Sequence, residues 1–155
     1  MLLDGVNHIA ILTNDTDRLA RFYRDIFDAP ASRRQEIGPG TLTFIDIGPR
    51  TELNVFELHD KADQKRGSMF GHGPIDHMGL QAKDRDAFVE IRRRLMACGA
   101  SDGFVTDFGG AHSVFFRDPD GLECEVLLFI SREAEGNPPG TPGSSGRGRG
   151  RNVWK

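Results

Sequence analysis

A chain of 155 residues, 37% hydrophobic and 28% charged, has material for one domain. It can bury roughly two thirds of the surface its unfolded form exposes, and it is too short for two cores of ordinary size. No run approaches the ~18 apolar residues of a membrane helix, and the opening MLLDGVNHIA lacks the basic and long apolar regions of a signal peptide, so a cytoplasmic protein is expected. The net charge of −3 conceals a segment, 136–155, with Arg147, Arg149, Arg151 and Lys155 and no acid, which leaves the body at −7 and argues against nucleic-acid binding by the domain.

The first strand pattern opens an internal repeat. Gly5-Val-Asn-His-Ile-Ala-Ile11 aligns with Pro74-Ile-Asp-His-Met-Gly-Leu80 at an offset of 69, which places His8 on His77. The register continues through Asp15 on Asp84, Leu19 on Phe88, Phe22 on Ile91 and Ile26 on Leu95. In each half a period-two strand leads through Asn or Asp cap candidates into a helix pattern. Leu19, Phe22, Tyr23, Ile26 and Phe27 form the apolar stripe of the first helix, and Phe88, Ile91, Leu95 and Cys98 that of the second. Pro30 and Gly99 mark the helix ends.

Each helix is followed by three strand-like segments. In the first half these are 32–37, 41–47 and 52–58, the last two joined by GPRT; in the second they are 103–107, 112–117 and 122–129, the last two joined by DPDG. The expected organisation is a domain over 1–131, built of a first module at 4–60, a linker at 61–73 and a second module at 74–131. A Gly/Pro/Arg-rich tail at 132–155 follows and is expected to be flexible. Cys98 and Cys124 show no CxxC spacing and are expected to be buried thiols.

Alternation places His8 on the strand face opposite Ile9 and Ile11, and His77 opposite Met78 and Leu80, with small Ala10 and Gly79 leaving room beside each imidazole. Glu57 and Glu125 lie 49 and 48 residues beyond their histidines, in mainly apolar strands where an unpaired carboxylate is costly. Two imidazoles and two carboxylates suit Fe, Mn, Co, Ni or Zn. Four ordinary polar residues on half-solvated strands are the alternative, and spacing alone leaves both open. If DPDG is a four-residue turn, His112 shares the face of Glu125 and is a candidate proton shuttle or substrate contact. Phe44, Phe56, Phe104, Phe115 and Phe116 are candidates for an apolar pocket, with core packing as the default.

VNHIAI, IDHMGL, RFYRDIF and FFRDPDGLECEVL make the chain similar, over roughly 5–130, to the vicinal oxygen chelate superfamily of glyoxalases, bleomycin resistance proteins and extradiol dioxygenases. The resemblance implies an α+β fold in which two βαβββ modules form a cup-shaped mixed sheet with helices outside. It implies a divalent metal on His8, His77 and Glu125, often with a residue at the place of Glu57. It also implies a small-molecule substrate and a homodimer. The expected activity is glyoxalase- or epimerase-like proton transfer through a metal-stabilised enediolate, with Glu125 or Glu57 as base. The alternatives are an Fe(II) extradiol dioxygenase, which needs only two His and one Glu, and a drug-binding resistance protein without catalysis. Phe115 and Phe116 stand where the dioxygenases usually carry a Tyr, and Leu12 and Lys61 stand near places the glutathione-dependent glyoxalases give to Arg and Asn.

Overall fold

The computed structural model describes residues 1–2, 5–59 and 75–130. The chain divides into two compact units, Met1–Lys65 and Arg66–Lys155. The expected linker at 61–73 and tail at 132–155 lie outside the described residues. Among the described residues no helix is long and apolar enough to cross a membrane.

The first unit runs β1 (His8–Leu12), α1 (Thr16–Phe27), β2 (Ala31–Ile37), β3 (Gly40–Gly48) and β4 (Thr51–Leu58). Its four strands form one mixed sheet in the order β1-β4-β3-β2, with β1 parallel to β4 and the other neighbours antiparallel. The second unit repeats this plan with β5 (Met78–Gln81), α2 (Arg85–Ala97), β6 (Val105–Asp107), β7 (Ala111–Arg117) and β8 (Glu123–Phe129), in the order β5-β8-β7-β6. Both expected βαβββ modules are therefore present.

Helix boundaries follow from local chemistry. The Asp15 carboxylate accepts from Arg18 N at 2.9 Å and the Asp84 carboxylate from Ala87 N at 2.8 Å, satisfying otherwise orphaned amides of the first turns. Asp28 ends α1 in the left-handed region at φ 54, and Gly99 takes the same region just after α2 at φ 76. One stripe of α1, Leu19, Tyr23 and Ile26, is buried with Ile45 of β3 and Leu53 and Val55 of β4. Phe88 and Leu95 of α2 are buried, and α2 packs on β8, whose Cys124 and Val126 are buried too. Each such side chain stabilises the fold by about 1.5–3 kcal/mol on burial, and truncating Leu53 to Ala would cost about 2–5 kcal/mol. Cys98, expected to be buried, is exposed, because it sits just beyond the last turn of α2; Cys124 is buried as expected.

Each sheet thus has a helix-side face and an opposite face. In the first sheet Ile11, Leu53 and Val55 take the helix side, so His8 and Ala10 take the other. In the second, Met78, Cys124 and Val126 take the helix side, and Gly79 and Glu125 the other.

Candidate metal centre

In the second module two donors come together. His77, immediately before β5, places Nε2 3.3 Å from Glu125 Oε1 on neighbouring β8. Its Nδ1 lies 2.8 Å from an Asp76 carboxylate oxygen. When Nδ1 donates to Asp76, Nε2 carries the lone pair, which is the arrangement a metal-ligating imidazole needs. Burial of the ring disfavours its protonated form, but the hydrogen bond to Asp76 and the charge of Glu125 outweigh it and raise the His77 pKa.

Glu125 is 8% exposed. Its Oε2 accepts from Ser113 Oγ at 2.6 Å, which fixes the carboxylate and leaves Oε1 turned to His77. Gly79, its partner on β5, supplies the room: a Cβ there would lie 3.4 Å from Glu125 Oε1. The Phe115 ring stands edge-on to His77, 6.1 Å between centroids, and Phe115 pairs with Glu125 across the sheet. The donors fit a divalent ion. Their 3.3 Å separation is shorter than two metal bonds of about 2.0–2.2 Å, so one ion can touch both.

The first module repeats half of this arrangement. His8 Nδ1 lies 2.8 Å from Asn7 Oδ1, as His77 does from Asp76. The parallel register pairs His8 with Glu52 and Ala10 with Asn54, so Asn54 is to Ala10 what Glu125 is to Gly79. Asn54 Oδ1 is buried and has no hydrogen-bond partner among the described residues.

Glu57 is not brought together with His8. It falls on the helix side with Leu53 and Val55, and its Oε2 accepts from Thr16 N, the first residue of α1, at 2.9 Å. A carboxylate at this place answers an orphan amide and the positive end of the helix dipole. Glu57 and His8, both candidate metal ligands by sequence, therefore lie on opposite faces of the first sheet.

His112 is corrected for a related reason. Asp118 accepts at Oδ1 from Asp120 N and Leu122 N, and Asp118 N donates to Leu122 O, with Gly121 at φ 81. Leu122 is thereby part of the loop, and Arg117 pairs with Glu123 rather than Leu122. A one-residue shift of register exchanges the faces. Phe115 stands opposite Glu125, and His112 pairs with Leu128 on the helix side. Among the phenylalanines, Phe44, Phe56 and Phe115 share the faces of Asn54 and Glu125, whereas Phe116, 2% exposed, belongs to the helix side.

Among the described residues no group of three His, Cys, Asp or Glu side chains is placed to hold one metal ion. The sequence reading had missed Asn7, Asp76, Ser113 and Asn54. The first two carried a signal, since they precede the repeated histidines at the same offset.

A family model described as the Glyoxalase/Bleomycin resistance protein/Dioxygenase superfamily matches residues 5–126. A glyoxylase/bleomycin resistance protein/dioxygenase domain from Frankia sp. EAN1pec is 19% identical, with a TM-score of 0.74, over 84% of this chain and 95% of that one. The trypanothione-dependent glyoxalase I of Leishmania major is 21% identical, with a TM-score of 0.61, over 81% and 86%. The oxidase ChaP-H1 is 23% identical, with a TM-score of 0.56, over 81% and 96%. Likeness at such identity shows a common fold. No curated protein matches the chain.

Proposed function

The chain belongs to the Glyoxalase/Bleomycin resistance protein/Dioxygenase superfamily, and from that premise we propose that it is a divalent-metal-dependent enzyme with a donor set of two imidazoles and one carboxylate. His77 and Glu125 are the ligands of the second module, and His8 is the further imidazole that the resemblance assigns. The substrate class is a small molecule with two neighbouring oxygens. Homodimer formation and a cytoplasmic location belong to the same reading.

The observation that carries this reading is the amide of Asn54 at the position matching Glu125. It removes the second carboxylate of a four-ligand site and moves the extradiol-type, O₂-dependent reaction ahead of the glyoxalase-like one. Held by these residues, Fe(II) would supply the chemistry of O₂ activation. The chain's own residues do the rest. Asp76 orients the His77 ring, Ser113 holds one oxygen of Glu125, and the Phe115 ring gives this pair an apolar wall. Tyr23 is fully buried in α1, so the reaction proceeds without a tyrosine beside the last ligand.

Glyoxalase- or epimerase-like proton transfer is the second reading. It rests on Glu125, a buried carboxylate beside an imidazole, as the base. Purified protein loaded separately with Fe, Mn, Co, Ni and Zn, then given catechols with O₂ and hemithioacetals without it, tests both. Ring cleavage with Fe supports the first reading, hemithioacetal isomerisation the second. A protein that binds metal and turns over neither is left with the resistance-type binding role.

A further inference from the structure

The face of the first sheet that carries His8 and Asn54 holds one cationic side chain that none of the described residues neutralises. Among the strand residues that the register places on this face, Arg33 of β2 is the single Lys or Arg. It pairs with Phe44 of β3, and its guanidinium carbon lies 3.7 Å from the centroid of that ring. The Arg33 guanidinium makes no hydrogen bond or ion pair among the described residues. The acids of the same face, Glu52 and Asp46, pair with each other two residues along the strands, in the row of His8, and form no ion pair with Arg33.

The neighbouring Arg34 shows how a structural arginine looks in this sheet. It falls on the helix side, where Nε donates to Thr43 Oγ1 at 2.9 Å and Nη2 to Asp17 at 2.7 Å. Arg33 has no such ties. Stacking on Phe44 leaves the in-plane N–H donors of the guanidinium open and limits the conformations it must give up on binding. Phe44 in turn pairs with Asn54, and Asn54 with Ala10. The row across the sheet therefore reads Arg33, Phe44, Asn54, Ala10. Strand spacing sets Phe44 roughly 10 Å from the strand of His8, the span of a small substrate.

We propose that Arg33 recognises a carboxylate on the substrate, with Phe44 as the platform that holds the guanidinium in place. Fork geometry suits a carboxylate accepting two N–H bonds. The substrate class narrows to small organic acids. The inference rests on the proposed function in taking the His8 face as the one the substrate meets.

The test uses metal-free full-length protein and ¹⁹F NMR titration with 4-fluorobenzoate and, as the neutral probe, 4-fluorobenzyl alcohol. Wild-type protein should bind the carboxylate about tenfold more tightly than the alcohol. Arg33→Met, which keeps an apolar stem over Phe44, should remove that preference and leave the alcohol unchanged, and Arg33→Lys should keep part of it. Arg34→Met loses the same charge from the opposite face and should keep the preference whole. Failure of wild type to bind 4-fluorobenzoate, equal binding by Arg33→Met, or an equal loss in Arg34→Met would overturn the proposal. Because no metal or turnover enters the measurement, failure of the proposed reaction leaves this result standing, and failure here leaves the metal centre standing.

Discussion

Asn54 is the counterpart of Glu125: the first lies between Ala10 and Phe44 across its sheet, the second between Gly79 and Phe115. One module thus offers an amide where the other offers a carboxylate. Asn54→Glu should restore the matching carboxylate. Without metal the added charge at a buried oxygen should lower Tm. With metal, affinity should rise by about tenfold or more, a gain of ~1.4 kcal/mol. Competition titration and melts with and without metal measure both, and an unchanged metal affinity would show that the site does not reach Asn54.

Glu57 serves the helix. Its acceptance from Thr16 N at the start of α1 resembles an N-cap bond, so Glu57→Ala should cost about 1 kcal/mol of stability. Glu57→Gln, which still accepts a hydrogen bond, should cost less. Chemical denaturation checks the order of the two, and a Glu57→Gln protein that cannot hold metal would reverse this assignment.

Ser113 should matter beyond its size. Ser113→Ala removes the 2.6 Å hydrogen bond to a buried carboxylate, with a stability cost of about 1–3 kcal/mol. Metal affinity should fall as well, since the freed carboxylate loses its fixed direction, by about tenfold or more. Parallel denaturation and metal titration of Ser113→Ala separate the two effects; loss of stability alone would make Ser113 a packing residue.

Acid should weaken the second module through Glu90. Hydrogen bonds from Arg93 and Arg94 hold the Glu90 pKa at about 2, down from 4.5, with desolvation opposing them. A carboxylate whose folded pKa is depressed contributes stability above its unfolded value, and that contribution is lost as pH falls from 4.5 towards 2. The group is exposed, so salt should shrink the effect. Melts of wild type and Glu90→Gln over this range should converge at the acid end; a difference independent of pH would contradict the assignment.

Local periodicity carried most of the fold, because strand alternation, Asp caps and the helical stripes of Leu19, Tyr23, Ile26, Phe88 and Leu95 are written in neighbouring residues. The faces of Glu57 and His112 depended on non-local register. His8 and His77 are offset by 69 residues, but Asn54 and Glu125, like Phe44 and Phe115, are offset by 71. The two added residues lie between the start of the second helix and the strands that follow, and α2 itself is one residue longer than α1. Near-equal His-to-Glu spacings of 49 and 48 select Glu57, whereas the insertion moves the matching position to Asn54. The loop after Asp118 likewise takes in Leu122, which no turn pattern of four residues provides.

Metal stoichiometry across a small set of variants tests the central claim most directly. Wild-type protein dialysed against Fe or Mn should retain about one ion per set of His8, His77 and Glu125, and should release it on acidification as these ligands take up protons. His8→Ala, His77→Ala and Glu125→Gln should lose the ion by elemental analysis while keeping their far-ultraviolet circular dichroism. Glu57→Gln and His112→Ala should retain it. Full metal content in His77→Ala or Glu125→Gln, or a wild-type protein that stays metal-free in every metal offered, would contradict the account.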